Sequence, residues 1–440
     1  MPIINVKGTH DVIAKEAALY DKVEKTMKSV ALKYAFCEVR PPVLEHTELF
    51  VRGVGESSDV VRKEMYTFLD KGDRSLTLRP EFTAGIMRVI VQNKLYATND
   101  LPLKYFYLGP VFRYERPQLG RYRQFNQFGV ELVGANSFYS DVEVITLAYD
   151  ILQSLKLNNV VIKINTLGDE ESRNNYREAL KGYFADKIEG MCADCHSRYE
   201  LNPLRILDCK VPEDIEIVKG APKMSDYLSP ASKERFSKVL SLLDELQIPY
   251  EVDDSLVRGL DYYSETVFEF HYTSKTGNNY GAIGAGGHYS HLVKEVGGPD
   301  IPGIGFSFGV ERLVSVLKDD NILDEEKVDR GINFYVMPIG EENINYSYRI
   351  AKKLRDLDFS VEICLEKSKV PAMFKKAERR KAAFGVIIGE NEVKDHKIII
   401  KNLATQEQIE MNEEEIFEKI YDVIEQIYDC NNCDEGCCKE

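Results

Sequence analysis

The chain has 440 residues, a formal net charge of −15, 29% charged and 44% hydrophobic residues. That length suggests two or three domains with an ample core, and the composition is that of an ordinary globular protein. No run approaches the ~18 consecutive apolar residues of a membrane-spanning helix, and the acidic balance argues against a non-specific nucleic-acid binder while leaving room for local basic patches. The opening MPIINVKGTHDV has no basic region followed by an apolar core, so no secretory signal is read. The nine cysteines are therefore expected to be reduced, in a cytoplasmic protein.

Taken in order, Leu19, Val23, Met27, Val30 and Ala31 recur at spacings of three and four and predict an early helix. Residues 36–44 read as one apolar strand, placed at an edge or interface by Pro41 and Pro42, which remove ladder donors. Residues 47–62 read as a short helix and a flexible loop. Residues 64–69 and 75–78 alternate around Asp70-Lys71-Gly72-Asp73, a hairpin pattern. A strand then ends at Arg79-Pro80 and a helix starts near Thr83. Residues 105–112 and 125–133 are aromatic-rich strands that bracket a loop, and a helix over 139–155 and a strand over 160–164 follow. Residues 168–250 are charged, helical in pattern and interrupted by prolines, as an inserted helical module would be. Residues 257–270 predict another strand pair, then comes a glycine-rich segment, then a strand ending at Gly309 and a helix from about Glu311.

After a charged linker, strands over 332–337, 359–364, 384–388 and 397–403 alternate with helices over 346–357, 370–382 and 413–427. That βαβαβ order predicts a small parallel-type sheet with helices on its faces, whereas the front part predicts a long antiparallel sheet. The expected organisation is an α+β domain over 1–325 containing the helical insertion of about 168–250, an α/β domain over 331–427, and a cysteine-rich tail over 428–440.

The chemistry concentrates around residues 104–134. The loop there carries Arg113, Arg116, Arg121 and Arg123 against Glu115 alone. Gln127 and Glu131 are four apart, so on a strand they share one face. The hairpin thus presents arginines to a polyanion and a carboxylate to something cationic; arginine suits the first task because its planar fork binds phosphate oxygens bidentately and keeps its charge. Arg258 precedes a Gly-Leu-Asp-Tyr-Tyr turn and Arg312 opens a helix. Few carboxylates lie near these arginines in sequence, and a nucleoside triphosphate would satisfy several of them at once. There is no GxxxxGK[ST] loop and no GxGxxG between a strand and a helix, so the nucleotide must be held by another architecture.

These residues resemble the histidyl-tRNA synthetases, a family of class II aminoacyl-tRNA synthetases, over nearly the whole chain to about residue 425. FRYERPQLGRYRQFNQFGVE, from Phe112, resembles the second class II motif, and GFSFGVERL, from Gly305, the third. The segment near Pro42 resembles the first, which forms the dimer interface in the family. LRPEFT, from Leu78, is as the family has it, and RGLDYY, from Arg258, with the neighbouring AGG segment is the histidine-specific signature. The resemblance implies that Arg258 is catalytic and that Arg113 contacts the α-phosphate and the substrate carboxylate. It implies that Arg121 and Arg312 hold the far phosphates of ATP, with Tyr122 and Phe125 near the adenine. Glu81, Thr83 and Gln127 would hold the histidine amino group, and Glu131 and Tyr263, with Tyr262, the imidazole. Arg116 and Gln118 would reach the acceptor end of tRNA(His). Mg2+ would bridge the phosphates. A non-catalytic histidine-binding regulatory paralogue, or a synthetase for another amino acid, are the competing readings.

Some positions depart from the family pattern. AGGHYSHL stands where AGGRYDGL is expected, so His288, Ser290 and His291 are replacements; Asn126 and His10 also stand where a histidine and an arginine are usual. In the last domain, KSKVPAMFKKAERRK (367–381) carries seven basic residues and one acidic, with Val370, Phe374 and Ala377 suited to a helix face. It reads either as a solvated basic face or as the surface with which the family's last domain binds the anticodon stem-loop. Cys192, Cys195, His196 and Cys209 read either as a zinc knuckle or as free thiols; the interval to Cys209 is irregular and the fourth ligand undecided, so no metal is assigned to the protein. In the tail, Cys430, Cys433, Cys437 and Cys438 read as oxidation-prone ahead of metal-binding.

Overall fold

The computed structural model describes residues 2–55, 58–98, 100–116, 120–324 and 331–427. The cysteine-rich tail and Gln118 lie outside the described residues. The chain divides into two compact units, Met1–Val328 and Asp329–Glu440.

The first unit contains strands β1 (Cys37–Glu38), β2 (Leu44–His46), β3 (Tyr66–Leu69), β4 (Ser75–Leu78), β5 (Leu103–Phe112), β6 (Gln124–Val133), β7 (Val160–Thr166), β8 (Tyr250–Val252), β9 (Tyr263–Thr273), β10 (Asn279–Tyr289) and β11 (Gly303–Gly309). Eight of them form one sheet in the order β1-β5-β6-β11-β10-β9-β7-β8, antiparallel from β5 to β7 and parallel at both outer pairs. Strands β2, β4 and β3 form a small second sheet.

The large sheet is buried on both faces, for two different reasons. On one face Phe106, Phe128, Val130, Leu132, Phe268, Phe270, Ile304, Phe306 and Phe308 alternate along their strands. They pack against helices Ala14–Lys33, Phe138–Ser154, Pro230–Glu245 and Val310–Asp319. On the other face the same strands carry Tyr107, Gln127, Glu131, Tyr263 and Tyr289, together with glycines, and this face holds the cavity described below.

Three details differ from the sequence expectation. The segment 36–44 is two short strands in two different sheets, because Pro41 and Pro42 interrupt pairing between them. The loop expected after the helix Thr47–Val54 includes a π-helical turn, Val60–Glu64, pinned by Val60 in a small apolar cluster. Residues 257–270 hold one strand, β9, preceded by an irregular bend rather than by a partner strand, since Leu256, Val257 and Leu260 are spent on packing the approach to the cavity.

Between β7 and β8 the chain runs through helices Glu170–Phe184, Ala193–Leu201, Pro212–Val218 and Pro230–Glu245. Tyr176, Leu180, Phe184, Cys195, Ile206, Cys209 and Met224 give this module a small core of its own.

The second unit contains β12 (Phe334–Pro338), β13 (Val361–Ile363), β14 (Phe384–Ile388), β15 (Lys397–Asn402) and β16 (Gln408–Asn412), in the order β13-β12-β14-β15-β16. The first three are parallel, but β15 and β16 are antiparallel, so the sheet is mixed rather than parallel-type. Strand β16 was not visible in the sequence because Gln408-Ile409-Glu410-Met411-Asn412 carries only two apolar residues at an edge position. On the helix Val370–Arg379, Met373 and Ala377 are buried, and Val370 and Phe374 pack beside them, which leaves the basic residues outward.

Candidate functional site

A cavity of about 450 Å³ opens on the glycine-bearing face of the large sheet. Its deep end is built on β6. Glu131 is 1% exposed; Thr83 Oγ1 donates to its Oε1 at 2.7 Å and Tyr289 OH to its Oε2 at 2.7 Å. Such a carboxylate needs room beside it, and the register supplies it. Glu131 lies opposite Gly305 of β11, where a Cβ would overlap the carboxylate itself. Gly129 likewise yields its space to the Tyr107 phenol. Burial pushes the Glu131 carboxyl up to about 8, only partly offset by the Thr83 and Tyr289 hydrogen bonds. Burial also raises Glu81, whose carboxylate accepts the Thr83 amide at 2.5 Å and the Ala84 amide at 3.0 Å, at the start of the helix Thr83–Gln92.

Tyr262 and Tyr263 stack obliquely with ring centroids 4.5 Å apart, and Tyr262 meets Tyr289 edge-on at 5.7 Å. These phenols, with Tyr107, Thr83, Gln127 and the two carboxylates, make a polar box closed by rings. Burial holds the Tyr107, Tyr262 and Tyr289 hydroxyls far above the usual phenol range, so each remains an O–H donor.

The other end of the cavity is cationic. Arg113 follows β5; its Nε donates to the Pro80 carbonyl at 2.8 Å, which leaves the rest of the guanidinium turned inward near Phe125. Arg121 lies 3.7 Å from Glu115 and is half-exposed. Arg312 donates to the Ala282 carbonyl at 2.6 Å, and burial and the nearby Arg121 both oppose its charge. Its neighbour Glu311 accepts the Asn126 amide through both oxygens, at 2.8 and 2.9 Å, which ties this helix to β6. Burial pushes Glu311 up to about 7.

Arg258 sits on the bend before β9. It donates to Glu269 at 2.6 Å and lies 5.2 Å from the centre of the Tyr263 ring. Burial works against its charge, but Tyr263 and Glu269 outweigh it. Its Nε is buried with no hydrogen-bond partner among the described residues. A buried guanidinium N–H without an acceptor is costly, and here it lines a cavity. Few carboxylates lie near these arginines in sequence; Glu269 supplies one from the middle of β9.

Glu81, Thr83, Arg113, Arg121, Tyr122, Phe125, Gln127, Glu131, Arg258, Tyr262, Tyr263 and Arg312 all line this one cavity. Arg116 is exposed and outside it. Cys192, Cys195 and Cys209 lie in the core of the insertion, outside it. Of the departures, His288 faces the other side of the sheet, buried against Asp141 at 3.1 Å and Arg235 at 3.3 Å. His10 stacks on Tyr122 with centroids 4.2 Å apart.

Tyr107, Tyr289, Glu269 and Arg205 were not foreseen. Glu269 was detectable as the lone acid among the apolar residues of VFEF. Arg205 belongs to the insertion: it bonds the Gly259 carbonyl, next to Arg258, and Asp59 at 3.0 Å, while Asn202 of the same module bonds Asp261 at 2.8 Å.

Residues 8–313 match the family model described as Histidyl-tRNA synthetase, and residues 333–422 the one described as Anticodon binding domain. The chain belongs to the histidyl-tRNA synthetase family. It is 47% identical over 408 residues to the histidine–tRNA ligase of Bacillus subtilis (strain 168), covering 92% of this chain and 95% of that one. With the histidine–tRNA ligase of Thermosipho melanesiensis it shares 45% over 411 residues, 93% and 96% of the two chains. Apo histidyl-tRNA synthetase from S. aureus superposes with a TM-score of 0.81 at 33% identity, covering 95% of this chain and 99% of that one. The antiparallel sheet with its cavity is thus the histidyl-tRNA synthetase fold of class II.

Proposed function

We propose that the chain activates histidine with ATP and transfers it to tRNA(His), and that it does so in the cytoplasm as a homodimer. The observation that carries the activation step is one cavity with two ends: a buried carboxylate ringed by phenols, and an arginine-lined end with Arg113, Arg121, Arg258 and Arg312, where the buried Arg258 Nε has no partner among the described residues.

Adenylate formation joins a carboxylate oxygen of the amino acid to the α-phosphorus and breaks the bond to pyrophosphate. The attacking carboxylate is already ionised, so no general base is required; orientation and charge stabilisation dominate. Arg113 and Arg258 take the α-phosphate and the reacting carboxylate, Arg258 through the N–H that lacks a partner. Arg121 and Arg312 take the far phosphates, and Tyr122 and Phe125 flank the adenine. Glu81, Thr83 and Gln127 take the α-amino group. Glu131 and Tyr263, with Tyr262 beside them, take the two imidazole nitrogens, and an analogue lacking either nitrogen leaves a buried group unpaired.

The residues present fit a divalent cation. Glu64 and Glu115 line the phosphate end of the cavity, and burial and Glu115 both raise the Glu64 carboxyl, a cost that a cation would relieve. These two would hold Mg2+, which supplies charge neutralisation on the phosphates. Arg116, exposed on the same loop, takes the tRNA acceptor end, a role the family resemblance also gives to Gln118, and the basic helix Val370–Arg379 takes the anticodon stem-loop. Exposed Leu44, Phe68 and Leu69 on the small sheet support self-association near Pro42, and the mass in solution tests it. No described helix is long and apolar enough to cross a membrane.

The regulatory-paralogue reading is disfavoured by the near-full-length identity to ligases. Histidine-dependent exchange of pyrophosphate into ATP is the test. Exchange specific to histidine supports the proposal; none from folded protein refutes it.

A further inference from the structure

The insertion holds a cluster that adenylate chemistry does not use. The sulfurs of Cys192, Cys195 and Cys209 and a carboxylate oxygen of Asp214 all lie within 4.8 Å of one another. Cys195, Cys209 and Asp214 are buried, at 0, 6 and 1% exposure. Asp214 supplies the fourth position that spacing alone left undecided.

Two features distinguish this cluster from thiols that merely pack together. The first is charge. Asp214 accepts the Cys192 amide at 3.1 Å and the Cys209 thiol at 3.1 Å, and no lysine, arginine or histidine pairs with it among the described residues. The buried carboxylate is therefore held by hydrogen bonds from the cysteine segments, and its surroundings are sulfur. The second is distance. Cys192 Sγ and Cys209 Sγ are 3.8 Å apart. Two sulfurs on one tetrahedral zinc, each bonded at ~2.3 Å, are separated by about 3.8 Å, whereas a disulfide needs about 2.05 Å. In addition, Cys192 is the residue before the helix Ala193–Leu201 and Cys195 is in its first turn, so one short element brings both sulfurs to the cluster.

We propose that Cys192, Cys195, Cys209 and Asp214 bind one structural zinc ion. Binding takes Zn2+, three thiols and one carboxylate to the closed four-coordinate complex and releases three protons; nothing is oxidised or reduced. Burial pushes the Cys195 and Cys209 thiols up, so the metal must supply the drive for their deprotonation. The ion would join the start of the helix Ala193–Leu201, the residue after the turn Pro203–Asp208, and the helix Pro212–Val218. The stretch it brackets carries Asn202 and Arg205, which hold Asp261 and the Gly259 carbonyl on either side of the bend that presents Arg258. The zinc is therefore a positioning element for that bend.

The test uses the full chain, purified under reductant, loaded with zinc and dialysed against a weak chelator. Expected results are about one zinc per chain by elemental analysis, and visible bands of tetrahedral thiolate coordination when cobalt replaces zinc. Cys195→Ser should retain less than a tenth of the metal, and Asp214→His, which offers a nitrogen in place of the carboxylate, should retain it. The zinc-free wild type should melt lower and show a reduced kcat for exchange with a smaller change in the histidine KM; metal content and cobalt spectrum are read whether or not exchange occurs. Less than a tenth of a zinc per chain in folded wild type, cobalt bands without sulfur character, or an intact mass showing a Cys192–Cys209 disulfide under these conditions would each overturn the proposal.

Discussion

Replacing Glu131 by glutamine should make the empty protein more stable while damaging its function. The carboxyl titrates at about 8 in the folded chain against the ordinary 4.5. Between those values the folded state holds a proton that the unfolded state has released, so stability falls as pH rises. From pH 4.5 to 7 that is 2.5 pH units at ~1.36 kcal/mol each, about 3 kcal/mol of destabilisation. Glutamine is isosteric with the neutral acid: its oxygen accepts from Thr83 Oγ1, its amide donates toward Tyr289, and it does not titrate. Thermal melts of both proteins from pH 5 to 8.5 should coincide near pH 5 and separate as pH rises, the variant melting higher. Histidine-dependent pyrophosphate exchange should fall roughly 10- to 100-fold in kcat/KM, the value of a charge-assisted hydrogen bond. Parallel melting curves across this range would refute the burial argument, and undiminished exchange would remove Glu131 from histidine recognition.

Arg258→Ala should lower the rate of exchange by roughly 10²- to 10³-fold, with a smaller change in the histidine KM; a variant that exchanges like wild type would exclude a catalytic role. Arg312→Ala should raise the KM for ATP about tenfold, ~1.4 kcal/mol, and leave the histidine KM near its starting value. Gly305→Ala places a methyl group on the Glu131 carboxylate and should cost about 1–3 kcal/mol by chemical denaturation as well as histidine affinity. Truncation after residue 324 should keep exchange but cut tRNA charging at least tenfold, measured on the same preparation; unchanged charging would remove the second unit from tRNA binding.

Much of the architecture was legible because it is written in periodicity. Strands β5 and β6 are aromatic-rich runs on either side of an arginine-rich loop, the first helix repeats at three and four, and RGLDYY and LRPEFT mark segments that meet only in three dimensions. What was lost followed physical rules. Pro41 and Pro42 divided one apolar run between two sheets, a matter of pairing partners rather than of pattern. The glycine-rich stretch, read without a structural class, is most of strand β10, where small residues are dictated by neighbours across the sheet. Tyr289 was hidden there, because a phenol on a glycine-rich strand looks like core until its hydrogen bond to Glu131, across the intervening strand β11, is seen. Arg205 gave no local sign at all: its partners, Asp59 and Gly259, are distant in sequence, and only tertiary structure joins them.

The absence of a side chain at Gly305 bears on how this pocket can change over generations. In the proposed function position 131 selects the ligand by charge, and position 305 determines whether anything larger than hydrogen is tolerated beside it. A substitution at either site is judged in the presence of the other: a bulkier residue at 305 is harmful while 131 is glutamate, and loss of the acid at 131 forfeits recognition before any new fit at 305 can be rewarded. The two sites are epistatic across a strand pair, so a shift to a different amino acid requires coordinated replacements rather than a series of single steps. Libraries aimed at altered specificity should vary 131 and 305 together.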